Sequence, residues 1–598
     1  MRSGPSSLRV FAIAVATLTV GIIAGAQGDD PAGPADLVVL NGRVFAADGR
    51  GTAAEAVAIR GNTIRRVGTT GEIESLRGPS TITVDARGGT VLPGFNDAHL
   101  HFVSGGLALE KANLLDATTL PEIEARISAF AGAHPDRPWV LGRGWFYEPF
   151  EGGLPTREIL DRLVPDRPAH MVAYDGHTLW VNSKALAAAG ITRHTRDPKN
   201  GTIVRDPKTG EPTGVLKEAA KALVNDVVPQ PTREDRLAAL RAAVREAHRF
   251  GVTSAQNAHG DAEEFELYDE LRRRGELKVR VYSALETGGE ADGRTADRFD
   301  ALWKKYPDDP LFKTGAVKLF IDGVVEAHTA AMLAPYANAP TRGTPLMTAR
   351  ALDRVVALFD RRGWQVMIHA IGDRGIRMAL DAFERAASRN PAPARGRRHR
   401  VEHIETTDPA DIPRFGRLGV IASMEPFHAN PNPSQMDVWS RNVGPARASR
   451  GWVWGSIAAS GGRLAFGSDW PVVTLDPRMG VNMAVNRTTP DGRPPGGWNP
   501  GQKLPLARVL EAYTSGAAWA SFDENRKGSL APGQLADLVI LSHDLFALPP
   551  ARLLDAVVTT TVFDGKVVYS RPAGPGPQGA RRPDERGGWP GREPTAPE

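Results

Sequence analysis

The sequence predicts an α/β protein in which a (β/α)8 barrel is inserted into a small β domain built from both chain ends. Three observations lead to this fold. Similar strand patterns stand at the two ends, the middle alternates helices with buried strands, and polar residues of a few types close those strands. The alternating region covers residues 91–524, and no G-x-G-x-x-G motif follows its first strand. A closed barrel is therefore favoured over a doubly wound sheet.

The β domain is predicted from a repeated pattern. Ala35–Leu40 leads into Asn41-Gly42, a hairpin-type turn, and Gln534–Leu541 carries nearly the same pattern near the other end. We therefore expect residues 35–90 and 525–570 to form one β domain, with residues 91–524 inserted between its two parts.

The barrel is predicted from helical runs that each end at a glycine and lead into a short apolar strand. These glycines are Gly251, Gly363, Gly419 and Gly461. Glycine just past a helix end is the usual C-cap, and alternating helices and buried strands indicate parallel βα units. Because the active sites of such barrels lie at the C-terminal ends of the strands, polar residues there are the candidates for function.

The two extreme ends of the chain are predicted to lie outside this fold. An apolar run at Val10–Ile23 follows two arginines, and Ala24-Gly25-Ala26 fits a signal cleavage site. We expect residues 1–26 to be a signal peptide and the protein to be exported, periplasmic or secreted, with an uncleaved anchor as the alternative. No later stretch approaches about 18 uninterrupted apolar residues, so no stable membrane span is expected after cleavage.

Residues 571–598 are rich in Pro, Gly and Arg, which predicts a disordered tail.

The composition excludes several functions. The 598-residue chain has no cysteine, which excludes disulfides, thiolate zinc sites, iron–sulfur clusters and cysteine nucleophiles. Its 73 Lys and Arg against 69 Asp and Glu leave a net charge of +4, which is too small to indicate nucleic-acid binding. Any metal must rely on His, carboxylate or a rarer ligand. The expected partner is a small-molecule substrate, and a homodimer stays open.

Residues at the predicted strand ends have side chains suited to a metal centre. His99 and His101 are two residues apart, so a strand places both imidazoles on one face, as a natural pair for a divalent metal. The other candidates each close a separate apolar strand: Lys318, His369, His403 and Asp469. A charge buried at such a position is costly without a partner. The set therefore predicts a site for a divalent metal.

These residue types indicate hydrolysis. A bound metal lowers the pKa of water from about 15.7 toward about 7. Asp469 can take the proton of that water and pass it to a leaving group. Lys318 would be repelled by the metal unless it is neutral or carries a carbamate formed with CO2. The chain contains no H-E-x-x-H, G-x-S-x-G or P-loop motif that would favour another chemistry.

At these residues the sequence resembles the metal-dependent amidohydrolase superfamily, and more narrowly its amidohydrolase-3 branch, which includes YtcJ-like proteins and N-substituted formamide deformylases. The motifs that carry the resemblance are Pro93–His101, Gly176–Leu186, Val317–Gly323, His369–Asp373, Val401–His403 and Gly467–Pro471. The resemblance covers about residues 36–570. It implies a distorted TIM barrel with a composite β-sandwich and a mono- or binuclear metal centre, usually zinc.

The resemblance also implies roles for the candidate residues. It assigns the more buried metal to His99, His101 and Asp469, and the second metal to His369 and His403.

Lys318 would be the carboxylated bridge between the metals. Other branches of the superfamily use a carboxylate there, for which Glu326 or Asp322 is available. Glu425 stands where relatives often carry Gln, and His428 close behind it has no assigned role.

The branch further implies an insert after the first barrel strand, here about residues 122–218. Two of its motifs, Arg143-Gly-Trp145 and Asp175-Gly-His177, are expected at the pocket. His177 would contact the substrate or the transition state. For Trp145, packing inside the insert is the alternative.

The favoured interpretation is hydrolysis of a non-peptide carbon–nitrogen bond, as in N-substituted formamides or related amides, by a metal-activated hydroxide. Asp469 would pass the proton to the leaving nitrogen, and an apolar N-substituent would contact Trp145 and Phe427. Two alternatives stay open. One is hydrolysis of an ester, lactone or cyclic amide at the same site, and the other is a small-ligand-binding or regulatory protein without catalysis.

Overall fold

The computed structural model describes residues 33–572, except residues 50, 52, 116, 148, 175, 177 and 200. The expected signal peptide, the expected tail from residue 573 onward, Asp175 and His177 therefore lie outside the described residues. In the described part of the chain, no helix combines the length and apolar character needed to cross a membrane.

Eight parallel strands form the centre of the fold, and each strand pairs with the next one in chain order. Numbered β1 to β8, they are Phe95–Leu100, Val252–Gly260, Arg280–Glu286, Phe312–Phe320, Gln365–Ala370, Arg400–His403, Ile421–Met424 and Arg463–Phe466. Agreement of chain order with spatial order in a parallel sheet is the topology of a (β/α)8 barrel. The predicted fold class is confirmed.

Helices surround this sheet and connect its strands. They are Phe102–Leu109, Arg233–Arg249, Ala262–Arg273, Gly293–Lys305, Ala349–Arg361, Asp373–Arg389, Ile412–Leu418, Pro433–Val443, Pro445–Ala448, Trp454–Ala459, Pro477–Asn486, Leu506–Ala512 and Ser515–Ala520, with short 3₁₀ helices at Pro426–Ala429 and Pro500–Gln502. Gly251 and Gly419 have φ of +75° and +64°. Because glycine adopts this conformation without steric penalty, each ends a helix and turns the chain into β2 or β7, as predicted.

Strands from both chain ends form two further sheets. The four-stranded sheet has the spatial order Thr63–Gly68, Ala56–Arg60, Ala35–Leu40 and Arg77–Asp85, and the helix Thr70–Glu74 lies against it. The five-stranded sheet has the order Arg43–Val44, Thr90–Pro93, Leu538–Leu541, Val558–Phe563 and Lys566–Ser570, with a 3₁₀ helix at Pro550–Asp555.

The two sheets share one apolar core. Val39 and Val57 from the first sheet pack with Leu538 and Val562 from the second. Thr90–Pro93 also pairs antiparallel with Leu538–Leu541, so strands from both ends of the chain hydrogen-bond directly. The composite β-sandwich expected from the repeated strand pattern is therefore present.

Between the helices Phe102–Leu109 and Arg233–Arg249, the chain that connects β1 to β2 forms a second α/β unit, which we call the insert. Its six-stranded sheet has the order Gly201–Arg205, Pro212–Glu218, Thr178–Val181, Ala169–Ala173, Val140–Trp145 and Ala112–Asn113. Its helices are Leu120–Ala133, Arg157–Leu163, Ser183–Ala188 and Ala222–Asn225, with 3₁₀ helices at Glu151–Gly153 and Ala219–Lys221.

A buried ion pair joins the barrel to the β domain. The Arg280 guanidinium, at the start of β3, donates to both oxygens of Asp537 at 2.5 and 2.9 Å, and to Asp564 at 2.9 Å. The Arg280 side chain is 3% exposed and that of Asp537 is 4% exposed. Removal of Arg280 therefore leaves the Asp537 carboxylate buried without its cation.

We expect Arg280→Met to lower the free energy of unfolding by about 3–5 kcal/mol, because Asp537 would stay buried without its cation. Denaturant-induced unfolding followed by circular dichroism measures this change. Arg294→Met removes the same charge from a side chain that is 94% exposed, and it should leave the unfolding curve unchanged within error. Equal stability of the two variants would contradict the role given to Arg280.

Candidate metal centre

The C-terminal ends of β1, β6 and β8 meet at one point of the barrel mouth. His99 and His101 come from the end of β1, His403 is the last residue of β6, and Asp469 follows β8 by three residues. The backbone N–H of Asp469 donates to the His99 carbonyl at 2.6 Å. This bond closes the barrel between β1 and the short β8.

The backbone is strained where two of these side chains emerge. His403, Ile404 and Asp469 have φ of +73°, +56° and +59°. Non-glycine residues rarely adopt positive φ, least of all a β-branched isoleucine, and each such residue costs on the order of 1–3 kcal/mol. The surrounding contacts hold these turns, which keep His403 and Asp469 facing the other site residues.

The two β1 histidines and Asp469 form a first group. His101 Nε2 lies 3.0 Å from Asp469 Oδ1, and His99 Nε2 lies 3.6 Å from the same oxygen. The three ligand atoms lie within 4.8 Å of one another. His99 Nε2 is buried and has no hydrogen-bond partner in the described part of the chain.

Glu402 fixes the orientation of His99. Its Oε2 lies 2.6 Å from His99 Nδ1, so the ring donates through Nδ1 and keeps its Nε2 lone pair toward Asp469. Arg400 in turn donates to both Glu402 oxygens, at 2.9 and 3.0 Å, and to Gln256 at 2.6 Å. His99, Arg400 and Glu402 are fully buried. Sequence reasoning missed Glu402, although a carboxylate next to His403 in a buried strand was a signal for it.

A second group shares Asp469. His403, His428 and Asp469 also present ligand atoms within 4.8 Å of one another. His428 Nε2 lies 3.7 Å from Asp469 Oδ2, and its ring is parallel to that of His403 with centroids 6.0 Å apart. Glu425 Oε2 accepts from His403 Nδ1 at 2.8 Å, as Glu402 does from His99. The β1 histidines and His428 thus approach different oxygens of Asp469.

A third group consists of His99, Glu402 and Glu425, which also have ligand atoms within 4.8 Å of one another. Its Glu402–His99 contact is the orienting pair above, and Glu425 Oε1 lies 3.6 Å from His99 Nδ1. Burial raises the pKa of Glu425 well above its usual range, and the neighbouring charges of Asp469 and Glu402 act in the same direction.

Lys318 and His369 lie beside these groups. Lys318 Nζ is buried without a hydrogen-bond partner in the described chain, 4.7 Å from the Phe320 ring centroid. The His369 ring centroid is 4.5 Å from that of His403, but its Nε2 lies 3.5 Å from the Gly323 carbonyl. His369 therefore belongs to none of the three groups found among the described residues, and its assignment to a second metal stays a prediction.

Asp322 binds backbone N–H groups with both of its carboxylate oxygens, and its role as a bridge stays a prediction. Its oxygens accept from the backbone N–H groups of Ala331, Ile371 and Gly372 at 2.8, 3.0 and 2.9 Å, which ties the loop after β4 to the end of β5. Glu326, the other carboxylate considered for the bridge, is absent from the three groups of the described chain.

The protonation states suit cation binding. Burial is the main cause that lowers the pKa of His99 and His403 well below the usual range and that of His369 to about 3. Burial also lowers the pKa of His428. Burial raises the pKa of Asp469, but its interactions with His101, His428 and Lys318 outweigh burial, and the net shift is downward. Neutral imidazoles and an ionised carboxylate are the forms that ligate a divalent metal.

The insert reaches the barrel mouth through Arg143 and not through Trp145. Trp145 is fully buried in the core of the insert, where it packs on Trp180 and its Nε1 donates to the Met171 carbonyl at 2.8 Å. The expectation that Trp145 contacts a substrate is therefore wrong, because the ring completes the insert's own core. Arg143 Nη1, in contrast, donates to the Pro471 carbonyl at 2.6 Å.

Two further histidines lie near the site, of which His428 had no role assigned from the sequence and His259 was not predicted. His428 follows β7, and His259 lies at the end of β2, where its ring centroid is 5.9 Å from that of His101 and its Nε2 is 2.7 Å from Glu286. Both follow the strand-end rule that identified the others. His177 lies outside the described residues, and its substrate contact stays a prediction.

Residues 83–569 match the sequence profile of the amidohydrolase family. The chain belongs to the amidohydrolase family. It is therefore a hydrolase whose family acts on small molecules, and the histidine and carboxylate groups at its barrel mouth are candidate metal ligands.

Relatives of this amidohydrolase are similar over most of their length. Protein LONG AFTER FAR-RED 3 of Arabidopsis thaliana is 32% identical over 90% of this chain and 92% of its own. YtcJ of Bacillus subtilis (strain 168), named as an amidohydrolase, is 31% identical over 87% of this chain and 97% of its own. N-substituted formamide deformylase of Arthrobacter pascens is 27% identical over 90% of this chain and 98% of its own.

Solved structures share the fold of this amidohydrolase. An uncharacterized metal-dependent hydrolase from Pyrococcus furiosus superposes with a TM-score of 0.65 at 25% identity, over 86% of this chain and 99% of that chain. A second, from Pyrococcus horikoshii ot3, superposes with a TM-score of 0.68 at 24% identity over the same shares.

We expect Glu402→Ala to lower the free energy of unfolding by about 3–5 kcal/mol, because Arg400 would be left as an unpaired buried charge. Unfolding in the presence of a chelator separates this effect from metal binding. Glu263→Ala, which removes a carboxylate whose side chain is 80% exposed, is the matched control and should unfold like the native chain. If Glu402→Ala also unfolds like the native chain, Glu402 does not hold the network as described.

Proposed function

We propose that this chain hydrolyses a non-peptide carbon–nitrogen bond of an amide, N-substituted formamides included, at the barrel mouth. One observation carries the proposal. Asp469 Oδ1 lies 3.0 Å from His101 and Oδ2 lies 3.7 Å from His428, so an ionised carboxylate stands where two ligand groups meet. The name of the formamide deformylase relative supports the choice of bond.

The donor set fits a divalent cation. His99 Nε2 and His428 Nε2 are buried nitrogens without hydrogen-bond partners in the described chain, and such groups cost about 1–3 kcal/mol each when left unsatisfied. Imidazole nitrogens with a carboxylate oxygen are a typical set for catalytic zinc. We propose zinc, held by His99, His101 and Asp469, with His403 and His428 offering nitrogens to a second ion.

Lys318 joins such a centre only in an uncharged or anionic form, because its ammonium would repel a cation. Its Nζ has no hydrogen-bond partner in the described chain, and burial lowers its pKa, which favours the neutral amine. Attack of this amine on CO2 forms an N–C bond and releases a proton from Nζ. The resulting carbamate is the carboxylated lysine we propose for the bridge.

Asp469 is the proton carrier in the proposed reaction. A bound divalent cation would supply an acidified water and would polarise the amide carbonyl. The Asp469 carboxylate, whose pKa is shifted downward, accepts the proton of the attacking water and returns it to the departing nitrogen. Phe427 is half-buried between Glu425 and His428, which suits contact with an apolar N-substituent.

Asp469→Asn should lower kcat for N-formyl and N-acetyl amines by about 10²- to 10⁴-fold, because the amide cannot carry the proton. Release of the amine, followed with zinc-loaded protein, measures the rate. Asp491→Asn, at a side chain that is 65% exposed, is the control with the same chemical change. Full amide turnover by Asp469→Asn would overturn the mechanism, and faster turnover of matched esters than of the amides would favour an esterase.

His428→Ala should lower the number of zinc ions bound per chain, because the second group loses one of its two imidazoles. Elemental analysis after dialysis measures the zinc content of the native chain, His428→Ala and His369→Ala. His543→Ala removes an exposed imidazole and should keep the native content. Loss of zinc from His369→Ala but not from His428→Ala would contradict the ligand set proposed for the second ion.

A further inference from the structure

Two cationic side chains of the insert lie at its junction with the barrel, and neither has a carboxylate partner among the described residues. Arg143 is in the strand Val140–Trp145, and Lys111 directly precedes the neighbouring parallel strand Ala112–Asn113. Both side chains are half-buried. In the described part of the chain, the polar contact of the Arg143 guanidinium is with the Pro471 carbonyl.

Arg143 is attached to the turn that carries Asp469. The Pro471 carbonyl accepts from Arg143 Nη1 at 2.6 Å, and the preceding carbonyl, that of Trp470, accepts from the His101 N–H at 2.8 Å. Pro471 is two residues beyond Asp469, and consecutive Cα atoms are at most about 3.8 Å apart, so the guanidinium lies within about 13 Å of the Asp469 Cα. A small substrate can span this distance.

In the part of the chain that the structure describes, no ion pair neutralises the charges of Arg143 and Lys111. Burial lowers the pKa of both Arg143 and Lys111, and the charge of Arg143 lowers that of Lys111 further. Glu110, next to Lys111 in the chain, is already paired with Arg137. Like charges that are partly removed from water destabilise a fold unless an anion joins them. The pair is therefore suited to a ligand that brings a negative charge.

We propose that Arg143 and Lys111 form an anion subsite that binds a carboxylate carried by the amide substrate, a few bonds from the carbonyl attacked near Asp469. This inference rests on the proposed function. With Nη1 bound to Pro471, the guanidinium keeps its Nε and Nη2 donors for a carboxylate, and Lys111 adds a mobile ammonium. Among the amides proposed as substrates, the preferred class is accordingly one that carries a carboxylate.

Binding of glutarate, a dicarboxylate without an amide bond, tests the subsite independently of turnover. Calorimetric titration of the zinc-loaded protein should give an affinity that falls at least tenfold in Arg143→Met and about threefold in Lys111→Met. Arg294→Met, which removes an exposed charge, should bind glutarate like the native chain. Native-like affinity in Arg143→Met would mean that glutarate binds elsewhere, at the metal for example, and would overturn the subsite.

Kinetics with a matched pair of amides tests the role in substrate selection. Arg143→Met should raise KM for N-acetyl-β-alanine at least tenfold more than it raises KM for the methyl ester of this amide. Lys111→Met keeps the Arg143–Pro471 bond and should show the same selectivity in weaker form. Equal losses for both substrates would mean that Arg143 only supports the turn, and they would overturn the subsite.

Turnover of neither amide by the native chain would contradict the proposed function, and the glutarate titration would still decide on the subsite.

Discussion

The hydrogen bond from the Asp469 N–H to the His99 carbonyl supports both the barrel and its site. β8 is only four residues long, so its pairing with β7 does not close the barrel on the far side. The turn after β8 completes the circle by reaching the end of β1. The same turn binds the His101 N–H and Arg143 through its next two carbonyls, and Ser468 N–H donates to Asp97 at 3.0 Å. One short segment thereby joins β1, β8, the insert and Asp469.

Below this turn, polar and charged side chains form hydrogen bonds in the interior of the barrel. Arg400, Glu402 and His99 form a fully buried chain of hydrogen bonds, and Glu425 with His403 forms a second, shorter one. Burial of the Arg400–Glu402 ion pair is costly, and the Glu402 and Glu425 carboxyl groups each hold one imidazole in a fixed orientation. The left-handed backbone at His403 and Asp469 adds to that cost. Strain and buried charge concentrate where ligand atoms must converge, while the remaining barrel and the β-sandwich supply the apolar core.

Local patterns predicted the fold because they act over short stretches of chain. Glycine at Gly251 and Gly419 needs only its own backbone freedom to end a helix. Alternation of helix and strand favours parallel pairing. The similar segments Ala35–Leu40 and Gln534–Leu541 lie in one β domain because each has an apolar face that must be covered. The insert was harder to interpret, because the sequence around an aromatic residue such as Trp145 does not show whether the ring lines a pocket or packs in a core. Only its neighbours Trp180 and Met171 distinguish the two.

The residue types of the candidate site were predictable from the sequence. His99, His101 and Asp469 were predicted together because strand periodicity and the position of barrel active sites are general rules, and the structure brings them within ligand distance. Only the tertiary structure shows that Glu402 orients His99 so that its Nε2 faces Asp469. It also shows that His428 Nε2 lies 3.7 Å from Asp469 and that His369 Nε2 lies near the Gly323 carbonyl. These outcomes depend on contacts between side chains from different strands. Side-chain direction at a turn is set by packing across the barrel, which no pattern along a single strand records.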